Sequence, residues 1–305
     1  MTASLTTGAA APASQRAGFL LAFLGAIAFS AKAIIVKLAY RHGVDATTLI
    51  MYRMLFALPL FMAMAWWAGR GKAALTGRDW LGVLGLGFSG YYLSSYLDFA
   101  GLAYVSASLE RLILYLNPTL VLLLGWLLYR RAPGGRQIAG LALGYAGMLL
   151  VFGIELQAEG PQVLWGSLLV FLSTVSYSVY LVCSGQFVQR LGSLRLVGLA
   201  TSVACVLCIV QFLLLRPLSA ALVPAPVIGL SVLNAVLCTA VPVLMVMMAV
   251  ERLGAAAVAQ TGMVGPLSTI LMGVWLLGEP FTPAIAAGTL LVLAGIYVFS
   301  RRPAG

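Results

Sequence analysis

Apolar residues fill this chain in blocks of about twenty, separated by short polar or basic stretches, and the two-residue alternation of an outer-membrane barrel is missing. A helix of about 20 apolar residues crosses a ~30 Å hydrocarbon core, and helices satisfy their own backbone polar groups in lipid. The pattern predicts an all-α integral membrane protein with ten transmembrane helices, at residues 18–40, 46–67, 80–101, 105–128, 135–153, 162–184, 197–215, 226–250, 254–277 and 282–300. The longest connections, such as 68–79 and 185–196, are too short for a soluble domain. Residues 1–17 read as a flexible cytoplasmic tail of small residues. The tail lacks the basic start of a signal peptide and precedes a full span, so no cleavage is expected.

Composition sharpens the picture. The 305 residues are 62% hydrophobic and only 9% charged, whereas a soluble domain carries about a quarter charged residues. The formal net charge of +10 invites a nucleic-acid reading, but its placement is topological. With the N-terminus inside, twelve of the 18 basic residues fall in inner segments and two, Arg41 and Arg216, in outer loops. That bias predicts an inner (plasma) membrane protein with both termini cytoplasmic, attraction to anionic lipid and no nucleic-acid partner. Cys183, Cys205, Cys208 and Cys238 all lie in spans, and the one histidine, His42, lies in an outer loop. Buried hydrophobes explain these cysteines better than a metal or redox centre, and neither metal nor cofactor is expected.

Displacing the sequence against itself by 148 positions aligns Pro118 with Pro266, Gly125 with Gly273, Gly140 with Gly288, Gly147 with Gly295 and Ser30 with Ser178. Leucine and alanine coincidences mean little in such a composition; paired prolines and glycines at one offset carry the signal. Each half, 18–153 and 162–300, holds five spans. An odd number makes the second half enter the membrane in the opposite sense, giving two inverted five-helix repeats. Such repeats place a solute site near the midplane where the halves meet.

With NPTLVLLLGWLL at 117–128 and GPLSTILMGVWLLGEPFTPAIAAGTLLVLAGIYVF from Gly265 to Phe299, the chain resembles the EamA-type branch of the drug/metabolite transporter superfamily over nearly its whole length. The resemblance implies a carrier of small metabolites, often an exporter of amino acids. It also implies a cavity lined by spans one, three, four, six, eight and nine, with spans five and ten peripheral. One departure is Arg131, which stands opposite Glu279 where the family often has a second glutamate. Glu279 is therefore expected to be an end-of-helix structural residue.

Five ionisable residues need an address inside the spans. A charge there costs about 2.5 to 3.5 kcal/mol and tends to face a cavity or a partner. From the span midpoints, Lys32 and Arg53 fall about 5 Å outward and Asp98, Glu110 and Arg111 about 8 to 11 Å outward, which makes one layer. Its three cations and two anions leave one cation for a solute carboxylate or another anion to neutralise. Tyr91, Ser94, Ser95 and Asp98 share a face of span three, and Arg111, Tyr115 and Pro118 a face of span four. Ser173, Ser176, Tyr177, Tyr180 and Ser184 form a polar stripe on span six. Asn234 and Gln260 would close the cavity from the second half. The expected substrate-binding set is Lys32, Arg53, Tyr91, Ser95, Asp98, Glu110, Arg111, Tyr115, Tyr177, Tyr180, Asn234 and Gln260.

Structural alternatives stand beside these readings. Asp98 or Glu110 with Arg53 or Arg111 would also serve as a fixed pair stapling helices, and the stripe would serve as helix-to-helix hydrogen bonds. Lys37 is expected to snorkel to the interface. Pro118 and Pro266 each delete a helix hydrogen bond, as a hinge or a static kink. Glycines at 82, 85, 87 and 90 and at 140, 144 and 147 permit close helix contact, in a monomer or a homodimer.

The function expected is a secondary transporter of amino acids or related metabolites, exporting by alternating access, with Asp98 or Glu110 as candidate proton-coupling groups. The alternative is a facilitative exchanger or uniporter for organic anions or other metabolites, or, more remotely, an intramembrane enzyme. No GxxxxGK[ST] motif marks an ATP site, and neither HExxH nor a serine with a histidine marks an intramembrane enzyme. Duplication with near-central prolines favours a carrier over a channel or a receptor.

Overall fold

The computed structural model describes residues 12–129, 134–253, 258, 261–262 and 264–300, and among them every regular element is helical. Helix α1 (Pro12–Tyr40) is followed by α2 (Ala46–Gly69), α3 (Gly77–Leu86), a π-helical stretch (Gly87–Leu93) and α4 (Ser94–Leu102). Then come α5 (Ala107–Leu114), α6 (Asn117–Tyr129), α7 (Gly135–Glu159), α8 (Gln162–Leu191) and α9 (Ser193–Leu215). The remainder is α10 (Ala225–Ala235), a second π stretch (Val236–Ala240), α11 (Val241–Leu253), α12 (Val264–Met272), a third π stretch (Gly273–Leu277) and α13 (Pro283–Ser300). Seven described helical stretches are long and apolar enough to cross a bilayer, and Val264–Leu277 and Pro283–Val298 are shorter apolar ones. The expected span 80–101 runs as α3, the first π stretch and α4 without a break.

Two expectations change. The tail expected over 1–17 already turns helical at Pro12, whose fixed φ suits the first helical turn. The loop expected over 185–196 is almost entirely helix: α8 continues to Leu191, and Gly192 alone, at φ +84, separates it from α9. Gln and Arg are good helix formers, so polarity marked the end of the apolar run and not the end of the helix.

Local chemistry sets several other boundaries. Asp45 caps α2 by accepting from the backbone N–H groups of Thr47 (3.0 Å) and Thr48 (3.2 Å). Thr76 and Asp79 form a reciprocal capping box at α3. Span four is two helices, because α5 ends at Leu114 and α6 starts at Asn117, one residue before Pro118. Likewise α12 starts at Val264, two residues before Pro266, just after a turn at Gly262. Pro118 and Pro266 therefore sit in the first turn of a new helix, where a missing N–H is harmless.

Packing pairs equivalent positions of the two halves. A Cβ on Gly147 of α7 would collide with the Gly288 carbonyl of α13, one on Gly288 would meet the Gly147 carbonyl at 2.7 Å, and one on Gly295 the Gly140 carbonyl at 2.5 Å. Rising numbers on α7 meet falling numbers on α13, so these helices run antiparallel. The glycines expected to permit close contact at 140, 144 and 147 thus serve an internal interface. In the same way Ser173 of α8 meets Ser94, and Gly25 of α1, the counterpart of Ser173 at the 148-residue displacement, faces Pro242, the counterpart of Ser94. The first two π stretches also coincide at that displacement.

Filling the α7–α13 contact should be costly. Gly147→Leu is expected to destabilise the fold by about 1 to 3 kcal/mol or more, the usual cost of overpacking, and to lower the thermal midpoint in detergent. Gly153→Ala, on the same helix with open space around it, should leave the midpoint unchanged or raise it slightly.

Candidate functional site

Lysine 32, near the middle of α1, reaches between two carboxylates from other helices. Its Nζ lies 2.5 Å from Oδ2 of Asp98 on α4 and 3.0 Å from Oε1 of Glu110 on α5. The Glu110 side chain is fully enclosed, that of Asp98 5% exposed and that of Lys32 15% exposed. A lysine ammonium is a compact charge on a flexible stem and can sit between two acceptors.

The two arginines are placed differently. Arg111 Nε donates to the Thr269 hydroxyl at 2.9 Å and Nη2 to the Phe29 and Ser30 carbonyls at 3.3 Å, and Nε stands 4.0 Å from Glu110. Buried Arg53 donates from Nε to the Thr239 hydroxyl at 3.1 Å, with its guanidinium 5.0 Å from the centre of the Phe99 ring. Among the described residues no carboxylate comes within ion-pair distance of Arg53. The expected staple of a carboxylate with Arg53 or Arg111 is thus not the close arrangement. Lys32 takes both acids, Arg111 holds Glu110 at long range, and Arg53 is the cation left over.

Glu110 owes its position to the start of α5. Ser106 caps that helix, accepting from the Leu109 N–H at 2.9 Å. Glu279 accepts from the Ala107 N–H at 2.7 Å and from the Ser108 hydroxyl at 2.9 Å, while Glu155 of α7 accepts from both the N–H and the hydroxyl of Ser106. Two carboxylates thus serve the positive end of α5. Glu279 is an end-of-helix residue as expected, but the helix it caps lies 172 positions earlier in sequence. The sequence signal for Glu155 is only that it is the first of two acids, with Glu159, just beyond the apolar run of span five. Beside this network lies a cavity of about 570 Å³, lined in part by Lys37, Tyr40, Arg41, Glu155 and Glu279. Lys37 accordingly borders this cavity, whose remaining wall is largely apolar.

The aromatic side of the predicted set also assembles. Tyr91 and Tyr180 hydroxyls are 3.2 Å apart, with ring centres at 5.1 Å, and Tyr177 stacks on Tyr180 at 5.5 Å. The serines of the span-six stripe pack helices instead: Ser173 donates to the Ser94 carbonyl and Ser176 to the Ser89 carbonyl, both at 2.7 Å. Ser184 bonds within its own helix, to Leu181. Ser95 is half-buried one turn before Asp98. Asn234 is fully buried, and neither its amide nitrogen nor its oxygen has a partner among the described residues. Gln260 and Arg131 lie outside the described residues.

At the two helix breaks, equivalent serines reach across. The Ser30 hydroxyl donates to the Gly265 carbonyl at 2.9 Å, and the Asn117 amide donates to the Ser178 hydroxyl at 3.0 Å. Ser30 and Ser178 are counterparts, as are Asn117 and Gly265. Tyr115 adds a bond to the Gly262 carbonyl at 2.9 Å. Thr239 and Thr269, which anchor the arginines, had no signal beyond being hydroxyls in spans.

Comparison with known proteins places this geometry. The model of the EamA-like transporter family matches the chain twice, over residues 16–153 and 164–301, a displacement of 148. An uncharacterized transporter of Bacillus subtilis (strain 168), YcbK, is 29% identical over 275 residues, covering 86% of each chain. An uncharacterized transporter of Archaeoglobus fulgidus is 25% identical, covering 93% of this chain and 97% of its own. A solved crystal structure of a protein shares the fold with a TM-score of 0.65 at 20% identity, over 94% of this chain and 98% of that one.

The ion cluster makes a stability prediction. Lys32→Met strands two buried carboxylates and should cost about 3 to 5 kcal/mol, read as a large fall in the thermal midpoint. Adding Asp98→Asn and Glu110→Gln should recover most of the loss. A single variant as stable as wild type would mean that the cluster does not hold α1, α4 and α5 together.

Proposed function

Since the chain belongs to the EamA-like transporter family, we propose that this multi-pass membrane transporter is a secondary carrier of small metabolites, amino acids or close relatives of them. It would work in export, across an inner (plasma) membrane with both termini in the cytoplasm, its two five-helix halves inverted and exposing one central site alternately. The observation that carries the reading is the Lys32–Asp98–Glu110 cluster beside an unneutralised Arg53. Three cations face two anions in a low dielectric, and a solute carboxylate brought to Arg53 completes the balance. An amino group on the same solute would compete with Lys32 for Asp98 or Glu110. Tyr91, Tyr177 and Tyr180 offer the body of the solute an aromatic wall, and the unpartnered amide of Asn234 offers it both a donor and an acceptor.

The inverted arrangement draws support from the antiparallel α7–α13 contact and from the coincidence of the first two π stretches. The helix breaks beside Pro118 and Pro266 are where each half would bend. Arg111 bonds Thr269, one turn beyond Pro266, so a change at Glu110 is felt at that break. Arg53, lacking a close carboxylate, also favours a second reading, a facilitative exchanger or uniporter for organic anions.

Counterflow in proteoliposomes against a panel of amino acids and organic acids, at two pH values, separates these. Wild type should show saturable, trans-stimulated flux of at least one amino acid. Lys32→Ala and Arg53→Gln should lower it tenfold or more, about the 1.4 kcal/mol of one lost charged contact. Dependence on a pH gradient that Glu110→Gln removes would identify proton coupling. Flux of organic anions alone supports the second reading, and full activity in Lys32→Ala would sink the site.

A further inference from the structure

On the outer wall of the bundle, α2, α3 and α9 enclose a groove of about 650 Å³ lined by Met62, Trp66, Trp80, Leu84, Val206 and, at one end, Arg195. Its two tryptophans face outward: Trp66 is 64% and Trp80 46% exposed. An apolar wall is what acyl chains require, and it does not by itself select a lipid. The selective part is the end. Arg195 lies against Gly69, its Nε 3.4 Å from where a Cβ would stand, and one terminal nitrogen donates to the Ala73 carbonyl at 3.0 Å. Its other N–H groups have no partner among the described residues. The guanidinium of Arg70 stacks 4.0 Å from the Trp66 ring centre, with exposed Lys72 in the same connection and exposed Arg78 in the first turn of α3.

The acid nearest this end is already committed. Asp79 accepts from the Thr76 hydroxyl and N–H at 2.7 Å each and pairs with Arg190 at 3.1 Å. Those hydrogen bonds, ahead of the arginine, hold its carboxyl below the usual range, so it stays ionised and keeps Arg190. Among the described residues neither Arg195 nor Arg70 has a carboxylate within ion-pair distance, though Asp79 feels the charge of Arg195 from farther off. Tryptophans at headgroup level, apolar wall beyond them and guanidinium forks at the polar end match a glycerophospholipid lying with its phosphate on the arginines.

We propose that this groove holds one anionic glycerophospholipid, with its phosphate against Arg195 and Arg70 and an acyl chain along Trp66, Trp80 and Val206. A zwitterionic lipid brings its own compensating cation and gains less from the arginines. Each arginine near the surface contributes about a fivefold preference.

Native mass spectrometry of the full chain, released from detergent containing equal phosphatidylglycerol and phosphatidylcholine, tests this. Wild type should retain phosphatidylglycerol in about fivefold or greater excess. Arg195→Gln should cut that excess about fivefold, and Val206→Trp, a change at a half-exposed position, should expel the lipid by filling the groove. A second measurement uses a chain whose only tryptophan is Trp80, in phosphatidylcholine vesicles doped with dibrominated lipid. Brominated phosphatidylglycerol should quench at a several-fold lower mole fraction than brominated phosphatidylcholine. Equal retention of the two lipids by wild type overturns the proposal. So does an excess that survives both substitutions, or a dimer that Val206→Trp dissociates, which would make a second copy of the chain the occupant.

Discussion

A lysine ammonium held between two carboxylates in a nearly dry interior is the interaction around which this structure is arranged. Any one of Lys32, Asp98 and Glu110 left alone in a helix bundle surrounded by lipid would be severely destabilising, and only their meeting makes the three tolerable. The meeting requires α1, α4 and α5 to come together at one depth. It also requires α5 to begin where it does, which explains why the N-terminus of so short a helix is served by three side chains. Ser106 caps it from within, Glu155 from α7 and Glu279 from the segment before α13. The start of α5 is thereby tied to both halves of the chain.

Around this fixed point the molecule divides into parts that resist movement and parts that lack the means to. Gly147 against Gly288, and Gly140 against Gly295, bring α7 and α13 so close that almost no substitution fits. That pair behaves as a rigid strut. At the breaks beside Pro118 and Pro266 a few backbone bonds, Leu116 N–H to the Ile113 carbonyl and Gly265 N–H to the Gly262 carbonyl among them, are joined by side-chain bonds from Ser30, Asn117 and Tyr115.

The halves match in packing and differ in charge. At the 148-residue displacement Lys32, Arg53, Asp98, Glu110 and Arg111 correspond to Tyr180, Thr201, Val246, Val258 and Ala259. One half supplies the ions, and hydroxyls of the other orient two of them, Thr239 for Arg53 and Thr269 for Arg111.

Much of this was legible in the residues. Blocks of apolar sequence specify helices in lipid because no other structure satisfies the backbone there, and a repeated spacing of Pro118/Pro266 and Gly147/Gly295 records a duplication because glycine and proline are kept only where geometry demands them. The charged layer was legible for the same reason: ions inside spans are too costly to be incidental. Which ion meets which was not, since Lys32, Asp98 and Glu110 are brought together by the rotation and crossing of three helices, which hydropathy does not encode. Nor was the cap that Glu279 places on α5, or the interest of Glu155, since both depend on segments far apart in sequence that lie side by side only after the chain has folded.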